Sequence, residues 1–523
     1  MEIKNLESTG FDKSHLKLPR VLGRWDIIMI VVGGVIGSGI FLSPSEIARA
    51  VPAPVLLLAV WVVGGIFSFF GALAFAELGA AMPEAGGIYI YLREAYGPLI
   101  SFLFGWTLFL VIDSGAIATL AVAFSTKYLP QFASLSPLTT KLVAVAFVGF
   151  LGAVNYVGVR WGANLQNLLT VIKTVALGGI CIVVFFFANG HGHVANFVNP
   201  KPGAFNFGML GAFGVGLVAS LWAYKGWEAA TYSAGETKNP QRNLPIGILL
   251  GTLIVIVLYI LANLAYLYVM PINAVGASQR IASDAMNIVV GPLGASLIAF
   301  LILFSILGAA NQNVLTSPRV YFAMARDGLF FKKIAEVHPK FLTPHVSIIA
   351  ISIWSILLSL TGTFEQLFTY VIFGEWIFFG LTVAAVIVLR KKRADLPRPY
   401  KTWGYPVTPI IFCLAALYIA ISSLIGQFKN AMAGFLIIVI GVPAFLYWRT
   451  RWRGIKLSMM GAIVFLVGLF TRYFLVSRMS PVFVWLLWTI SGIGLIMSIF
   501  GLVLASGERK AAAAAAAPSK TNV

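Results

Sequence analysis

The chain has 523 residues, of which 59% are hydrophobic and only 11% charged. That composition excludes a soluble protein of this length. The formal net charge of +19 would suggest nucleic acid as a partner for a soluble chain, but among long apolar runs it points to basic loops on one side of a membrane. The two cysteines, Cys181 and Cys413, both lie inside apolar runs, so neither a disulfide framework nor a metal-ligand spacing is available.

Runs of spanning length recur from end to end, and about 20 residues suffice to cross a bilayer core. The expected class is an all-α polytopic membrane protein. Fourteen spans are predicted, at 25–51, 54–80, 98–126, 139–159, 165–188, 209–234, 245–270, 291–325, 346–362, 366–390, 406–427, 431–448, 457–476 and 482–506. No short apolar segment with a cleavage site precedes the first, so no cleaved signal peptide is expected. With the N-terminus inside, most of the 37 Lys and Arg residues fall on inward segments, which predicts cytoplasmic termini. Arg390-Lys391-Lys392-Arg393 closes the tenth span and reads as a topology anchor. The tail beyond Lys510, rich in alanine, reads as dispensable.

The first span contains Gly33-Gly34-Val35-Ile36-Gly37-Ser38-Gly39-Ile40-Phe41, with four glycines in seven positions and then Pro44. A continuous helix is disfavoured there. Two readings fit. Small residues can let neighbouring helices approach closely. Alternatively the helix is interrupted, leaving the N–H groups of Gly37, Ser38 and Gly39 at the positive start of a second half-helix, a site for a carboxylate. The sixth span repeats the anomaly. Gly211, Gly214 and Gly216 precede Ser220-Leu221-Trp222-Ala223-Tyr224-Lys225-Gly226-Trp227-Glu228. Two ionisable groups at that depth face a cavity or a partner rather than lipid. Two interrupted spans in corresponding places point to a secondary transporter with its site at the midplane.

The residues also resemble a known family. The matching segments are Gly37-Ser38-Gly39-Ile40-Phe41 with Pro44, Glu77-Leu78-Gly79, Pro83-Glu84-Ala85-Gly86-Gly87, and Tyr89-Ile90-Tyr91-Leu92. Further on come Gly97-Pro98, Gly105-Trp106, Trp222-Ala223-Tyr224, Gly226-Trp227, Glu236-Thr237-Lys238-Asn239-Pro240, Asn243-Leu244-Pro245, Thr316-Ser317-Pro318-Arg319 and Ala325-Arg326-Asp327-Gly328. Over residues 24–450 the chain resembles the amino acid–polyamine–organocation (APC) superfamily, and within it the L-type amino acid transporters and their bacterial relatives. The resemblance implies a 5+5 inverted-repeat, leucine-transporter-like core. Its first repeat would occupy 25–190 (spans 1–5) and its second 191–392 (spans 6–10). A cytoplasmic segment at 1–24 would precede them. Accessory spans 11–12 at 393–448, extra spans 13–14 at 449–507 and a tail at 508–523 would follow. It further implies that the Gly37–Gly39 amides bind the substrate carboxylate, and that carbonyls near Val35 and around Trp222, Ala223, Lys225 and Gly226 meet the ammonium. Trp222 falls where the family places an aromatic gate; from the sequence alone, ordinary core packing is the simpler reading of a Trp there.

Lys173 falls where the family has a lysine that replaces a sodium ion and bridges spans one, five and eight, so sodium independence is expected. The alternative is a lysine snorkelling to the interface. Lys225 departs from the family, whose members carry small or acidic residues there. It either pairs with Asp113 or Glu375 or faces the substrate. Pairing leaves the pocket neutral, hence neutral amino acids. Glu228 and Glu375 are also candidate proton carriers, because burial disfavours a charged carboxylate, and both exchange and proton-coupled import fit. Glu77 is expected to close an inner gate or cap loop amides.

Animal members of the family join a glycoprotein through a cysteine in the loop between spans three and four. Tyr128 to Thr140 has none, so no disulfide-linked heavy chain is expected. His191-Gly192-His193 reads as a polar loop. No metal or cofactor is expected, and an enzyme is the least favoured class. The leading function is a secondary transporter of neutral L-amino acids working by alternating access. A carrier of acidic amino acids or polyamines, and a sensor that binds an amino acid without transporting it, are the alternatives.

Overall fold

The computed structural model describes residues 18–188, 190–198, 207–361, 364–426, 428–450, 452–475 and 481–516. Residues 1–17 of the expected N-terminal segment and 517–523 of the expected tail lie outside these. Among the described residues the fold is all helical, apart from one isolated parallel bridge between Leu22 and Thr237.

Among the described residues, twenty α-helices follow one another. The first seven are α1 Arg24–Val35, α2 Gly39–Ala50, α3 Pro54–Ala81, α4 Ile88–Tyr96, α5 Pro98–Thr107, α6 Asp113–Ala123 and α7 Pro137–Val157. Then come α8 Val159–Phe187, α9 Phe207–Ala223, α10 Pro240–Val269, α11 Ile272–Ala277, α12 Ile281–Val290, α13 Pro292–Thr316 and α14 Pro318–Arg326. The last six are α15 His345–Thr361, α16 Phe364–Lys392, α17 Val407–Gly426, α18 Phe428–Arg449, α19 Arg453–Leu475 and α20 Pro481–Ala516. Proline opens α3, α5, α7, α10, α13 and α14. At the first helical position its missing N–H costs nothing and its fixed φ suits the helix.

Among the described residues, eleven stretches are long and apolar enough to cross a membrane. The other three expected spans correspond to α9, which stops at Ala223, to the short α15 of 17 residues, and to α16. The fourteenth span was expected to end at 506, but α20 continues to Ala516. Alanine is the best helix former, so the polyalanine run prolongs the helix instead of ending it.

The stretch formed by α1 and α2 is the centre of the bundle. Its most apolar window is 89% buried, against 22% for the window at Arg453–Phe470. α1 packs on α8, α10 and α13, while α2 packs on α9. Gly33 lies against Thr170 and Gln166 of α8, leaving no room for a side chain. At the far side α19 and α20 form a hairpin in which Gly454, Gly461 and Gly468 face Ala505, Ser498 and Ser491. Glycine every seven residues lets the two backbones touch. The outer faces, including Ile496 at 67% and Val503 at 63% exposure, are apolar.

Candidate substrate-binding site

Both interruptions are present. α1 ends at Val35, and Ile36 turns out of the helix with φ −71° and ψ 88°. α2 begins at Gly39. Pro44 lies within α2 and has no amide to offer the preceding turn. In the sixth span α9 ends at Ala223, and a 3₁₀ segment resumes at Glu228. Between them Gly226 has φ +126°, a region that side-chain-bearing residues avoid.

The two breaks touch main chain to main chain. A Cβ on Gly226 would stand 2.6 Å from the Gly34 carbonyl carbon and 2.8 Å from the Val35 nitrogen. A Cβ on Gly39 would stand 2.7 Å from the Ala223 Cα. The Tyr259 hydroxyl, from α10, lies 2.7 Å from the Val35 carbonyl oxygen and 3.2 Å from that of Ala223, so one side chain clasps both ends. Gln312 Nε2 of α13 donates to the Gly226 carbonyl at 3.4 Å.

A cavity of about 60 Å³ opens where the breaks meet. Val35, Gly37, Ser38, Gly39, Trp222, Ala223, Lys225 and Gly226 all line it, joined by Thr119 of α6 and Asn313 of α13 among others. The first amides of α2 face a helix start, where N–H groups have no intrahelical acceptor and the dipole is positive. The carbonyls of Val35 and Ala223 mark the opposite, negative ends of α1 and α9. Amides at one end and carbonyls at the other give the cavity a polarity complementary to a zwitterion.

Lys173 of α8 is fully buried. Its ammonium donates to Ile36 O at 2.7 Å, Ser305 O at 3.3 Å and Gly33 O. It therefore joins α8 to the break in the first span and to α13. Gly308 clears its path, since a Cβ there would lie 2.9 Å from Nζ.

Lys225 Nζ lies 2.9 Å from Glu375 Oε1 and 3.6 Å from Asp113 Oδ1. Both partners posed as alternatives in the sequence thus engage it together, from α16 and α6. The Ser317 hydroxyl donates to the other Asp113 oxygen. Glu228 has a different place. Its Oε2 accepts the Gly226 N–H at 3.0 Å, capping the second break from within.

At the end of the bundle that carries the basic run, Glu77 accepts from Arg390 Nε at 2.9 Å and Nη2 at 2.6 Å, and from the Thr402 N–H at 2.6 Å. Arg398 adds an ion pair at 3.5 Å. Arg93 pairs with Asp327 at 2.8 Å. Deeper in, Arg319 and Glu236 form a fully buried two-pronged pair at 2.7 and 3.0 Å. The sequence quoted both motifs without showing that they meet. It also passed over Tyr259, Thr119, Ser305 and Gln312. Asn311-Gln312-Asn313, three consecutive amides inside an apolar run, was the one local signal available for α13.

An all-helical bundle with two interrupted spans meeting at a small cavity has the architecture of a membrane carrier. The comparisons narrow that class. The profile of the amino acid permease family matches residues 22–445. The b(0,+)-type amino acid transporter 1 of Mus musculus is 35% identical over 427 residues, covering 81% of this chain and 86% of the relative. The serine/threonine exchanger SteT of Bacillus subtilis is 32% identical over 437 residues, 83% of this chain and 98% of the relative. The large neutral amino acids transporter small subunit 2 of Homo sapiens is 31% identical over 460 residues, 84% and 83% respectively. The chain belongs to the amino acid permease family of the APC superfamily.

Proposed function

We propose that the protein is a sodium-independent carrier of neutral L-amino acids across the cytoplasmic membrane, working as an exchanger by alternating access. The observation that carries this reading is the meeting of two interrupted helices at one cavity. The start of α2 and the carbonyl ends of α1 and α9 converge there, a polarity suited to the head group common to all amino acids. Lys173 supports sodium independence, because a fixed ammonium already satisfies the carbonyls of Gly33, Ile36 and Ser305. The pairing of Lys225 with Glu375 and Asp113 supports neutral substrates, since its charge is met from within the protein. The names of the relatives support amino acids as cargo and, for SteT, exchange. Two inverted repeats, spans 1–5 and 6–10, would rock about this site.

The Lys and Arg asymmetry supports cytoplasmic termini, and with that orientation the end bearing Glu77 and Arg390 is proposed as the inner gate. The loop at 128–140 lacks cysteine, so the carrier is proposed to work without a disulfide-linked heavy chain. Thermal-shift screening of the twenty amino acids on purified protein tests the site, because a ligand that binds the folded state raises its apparent stability. Uptake into preloaded proteoliposomes then separates a carrier from a sensor: a sensor binds but accumulates no label. Failure of every amino acid in both assays would refute the proposal.

A further inference from the structure

A second polar space, larger than the head-group cavity, lies toward the far end of α2, away from the break. Its volume is about 970 Å³. Ser45, on its wall, follows Gly39 by six residues, about 9 Å along the helix. Three elements enclose it: α2, the π-helical turn Phe124–Tyr128 that continues α6, and the junction of α11 with α12. Turns of the π type are rare and concentrate at functional sites.

Two hydroxyls from different elements point to a ligand in this space. Ser45 and Tyr128 both line it and are 3% and 2% exposed. Neither hydroxyl has a hydrogen-bond partner among the described residues. A helical serine by default bonds a carbonyl one turn back, as Ser352 does with Ile348 at 2.8 Å. Ser45 does not. A buried hydroxyl without a partner is costly, and a ligand that supplies one recovers the cost.

Charge decides the kind of ligand. Arg49, Lys127 and Arg280 share the lining with Glu46 and Asp284, three cations against two carboxylates. Several are engaged within the protein. Arg49 donates to the Gly276 carbonyl at 2.9 Å, and the Ser278 hydroxyl donates to Asp284 at 2.6 Å. Glu46 and Lys127 have interactions of their own. Arg280 is exposed at the rim, close enough for its charge to act on the Tyr128 hydroxyl. A cation entering here meets the positive surplus. A guanidinium and two O–H donors in one cavity are instead a donor set for an oxyanion.

We propose that this space binds a small oxyanion, a carboxylate or inorganic sulfate or phosphate, through Arg280, Tyr128 and Ser45. With the termini in the cytoplasm it lies on the outer side. The anion ties α2, whose start forms the carboxylate end of the head-group site, to the two elements beside it. It therefore favours the arrangement described here and slows transport from outside. That consequence rests on the carrier reading above, whereas the binding does not.

The test measures thermal midpoints of the purified full-length protein in acetate, sulfate or phosphate against chloride, at constant ionic strength. An oxyanion should raise the midpoint saturably at millimolar concentration. Sulfate and phosphate also stabilise proteins by exclusion from their surface, but that part grows steadily with concentration and is equal in every variant. Arg280→Gln should raise the half-saturating concentration about tenfold or more, and Tyr128→Phe about three- to tenfold, the worth of a charged and of a neutral hydrogen bond. Because Arg280 is exposed, its variant decides if Tyr128→Phe fails to fold. A shift with acetate alone assigns the site to carboxylates, and one with sulfate or phosphate alone to inorganic anions. Added outside proteoliposomes, the active anion should slow uptake by the wild type and not by Arg280→Gln. No saturable shift with any anion, an equal shift in the variants, or equal slowing of both carriers overturns the proposal. L-Alanine should protect both variants as it does the wild type, since neither residue lines the head-group cavity. If no amino acid protects the wild type or enters proteoliposomes, the carrier reading has failed, and a saturable anion shift still stands.

Discussion

The Cα of Gly226 presses against the carbonyl of Gly34, so that the smallest side chain on Gly226 would stand 2.6 Å from the Gly34 carbonyl carbon. This contact between residues 192 positions apart in sequence brings the two interruptions into one cavity. Neither helix would expose its polar ends to hydrocarbon alone, since an unsatisfied backbone group there costs several kcal/mol. Each break is tolerable because the other, with Tyr259 and Gln312, surrounds it.

Substitution at either glycine should therefore abolish transport. Gly226→Ala must adopt a left-handed φ and clash with Gly34 and Val35, a strain of at least ~1–2 kcal/mol before the clash is counted. Gly39→Leu drives a side chain into Ala223 and the cavity. Both variants should reach the membrane but show no substrate-induced thermal shift. A normal shift in Gly39→Leu would remove the carboxylate site from Gly37–Gly39.

Lys173→Ala should cripple uptake. It removes the donor shared by the carbonyls of Gly33, Ile36 and Ser305, and each buried acceptor left without a partner costs ~1–3 kcal/mol. Gly308→Val, which intrudes on the same ammonium, should reproduce the defect. Wild-type uptake should be the same in sodium and in choline buffers. Wild-type rates in Lys173→Ala, or a sodium requirement in the native protein, would end the view of this lysine as a fixed cation.

Lys225→Ala and Glu375→Gln should each be damaging, by ~3–5 kcal/mol where a buried charge is left unpaired. Together they should cost less than the sum, by ~0.5–3 kcal/mol, as expected of groups in contact. A double-mutant cycle on thermal stability and on uptake measures this. Full additivity would contradict the 2.9 Å pair.

Glu77→Ala should loosen the end of the bundle where Arg390, Arg398 and Thr402 converge on that carboxylate. The expected result is a lower thermal midpoint and faster labelling of cysteines introduced beneath the gate from the cytoplasmic side. Unchanged midpoint and labelling would make the cluster a surface feature only.

Much of this was legible in the chain because it is written in residues that membranes do not tolerate by chance. Glycine runs inside spans announced both breaks, and lysines at depth announced Lys173 and Lys225. Partners were harder. Asp113 and Glu375 were candidates for Lys225, but sequence could not show that one ammonium engages both. Tyr259 and Thr119 were invisible, because a lone Tyr or Thr in an apolar helix is ordinary and only the fold reveals which way its hydroxyl turns. The buried Arg319–Glu236 pair joins residues 83 positions apart, and no local pattern specifies so distant a partner.

The central claim is that main-chain polarity at two helix breaks holds the two charges of an amino acid. Binding of head-group analogues tests it most directly. Thermal protection of the purified protein should be compared for L-alanine, its methyl ester and its N-acetyl derivative. The account predicts that L-alanine protects and that both derivatives fail, one lacking the carboxylate for the Gly37–Gly39 amides and the other the ammonium for the Val35 and Ala223 carbonyls. Protection by either derivative equal to that of L-alanine would contradict it.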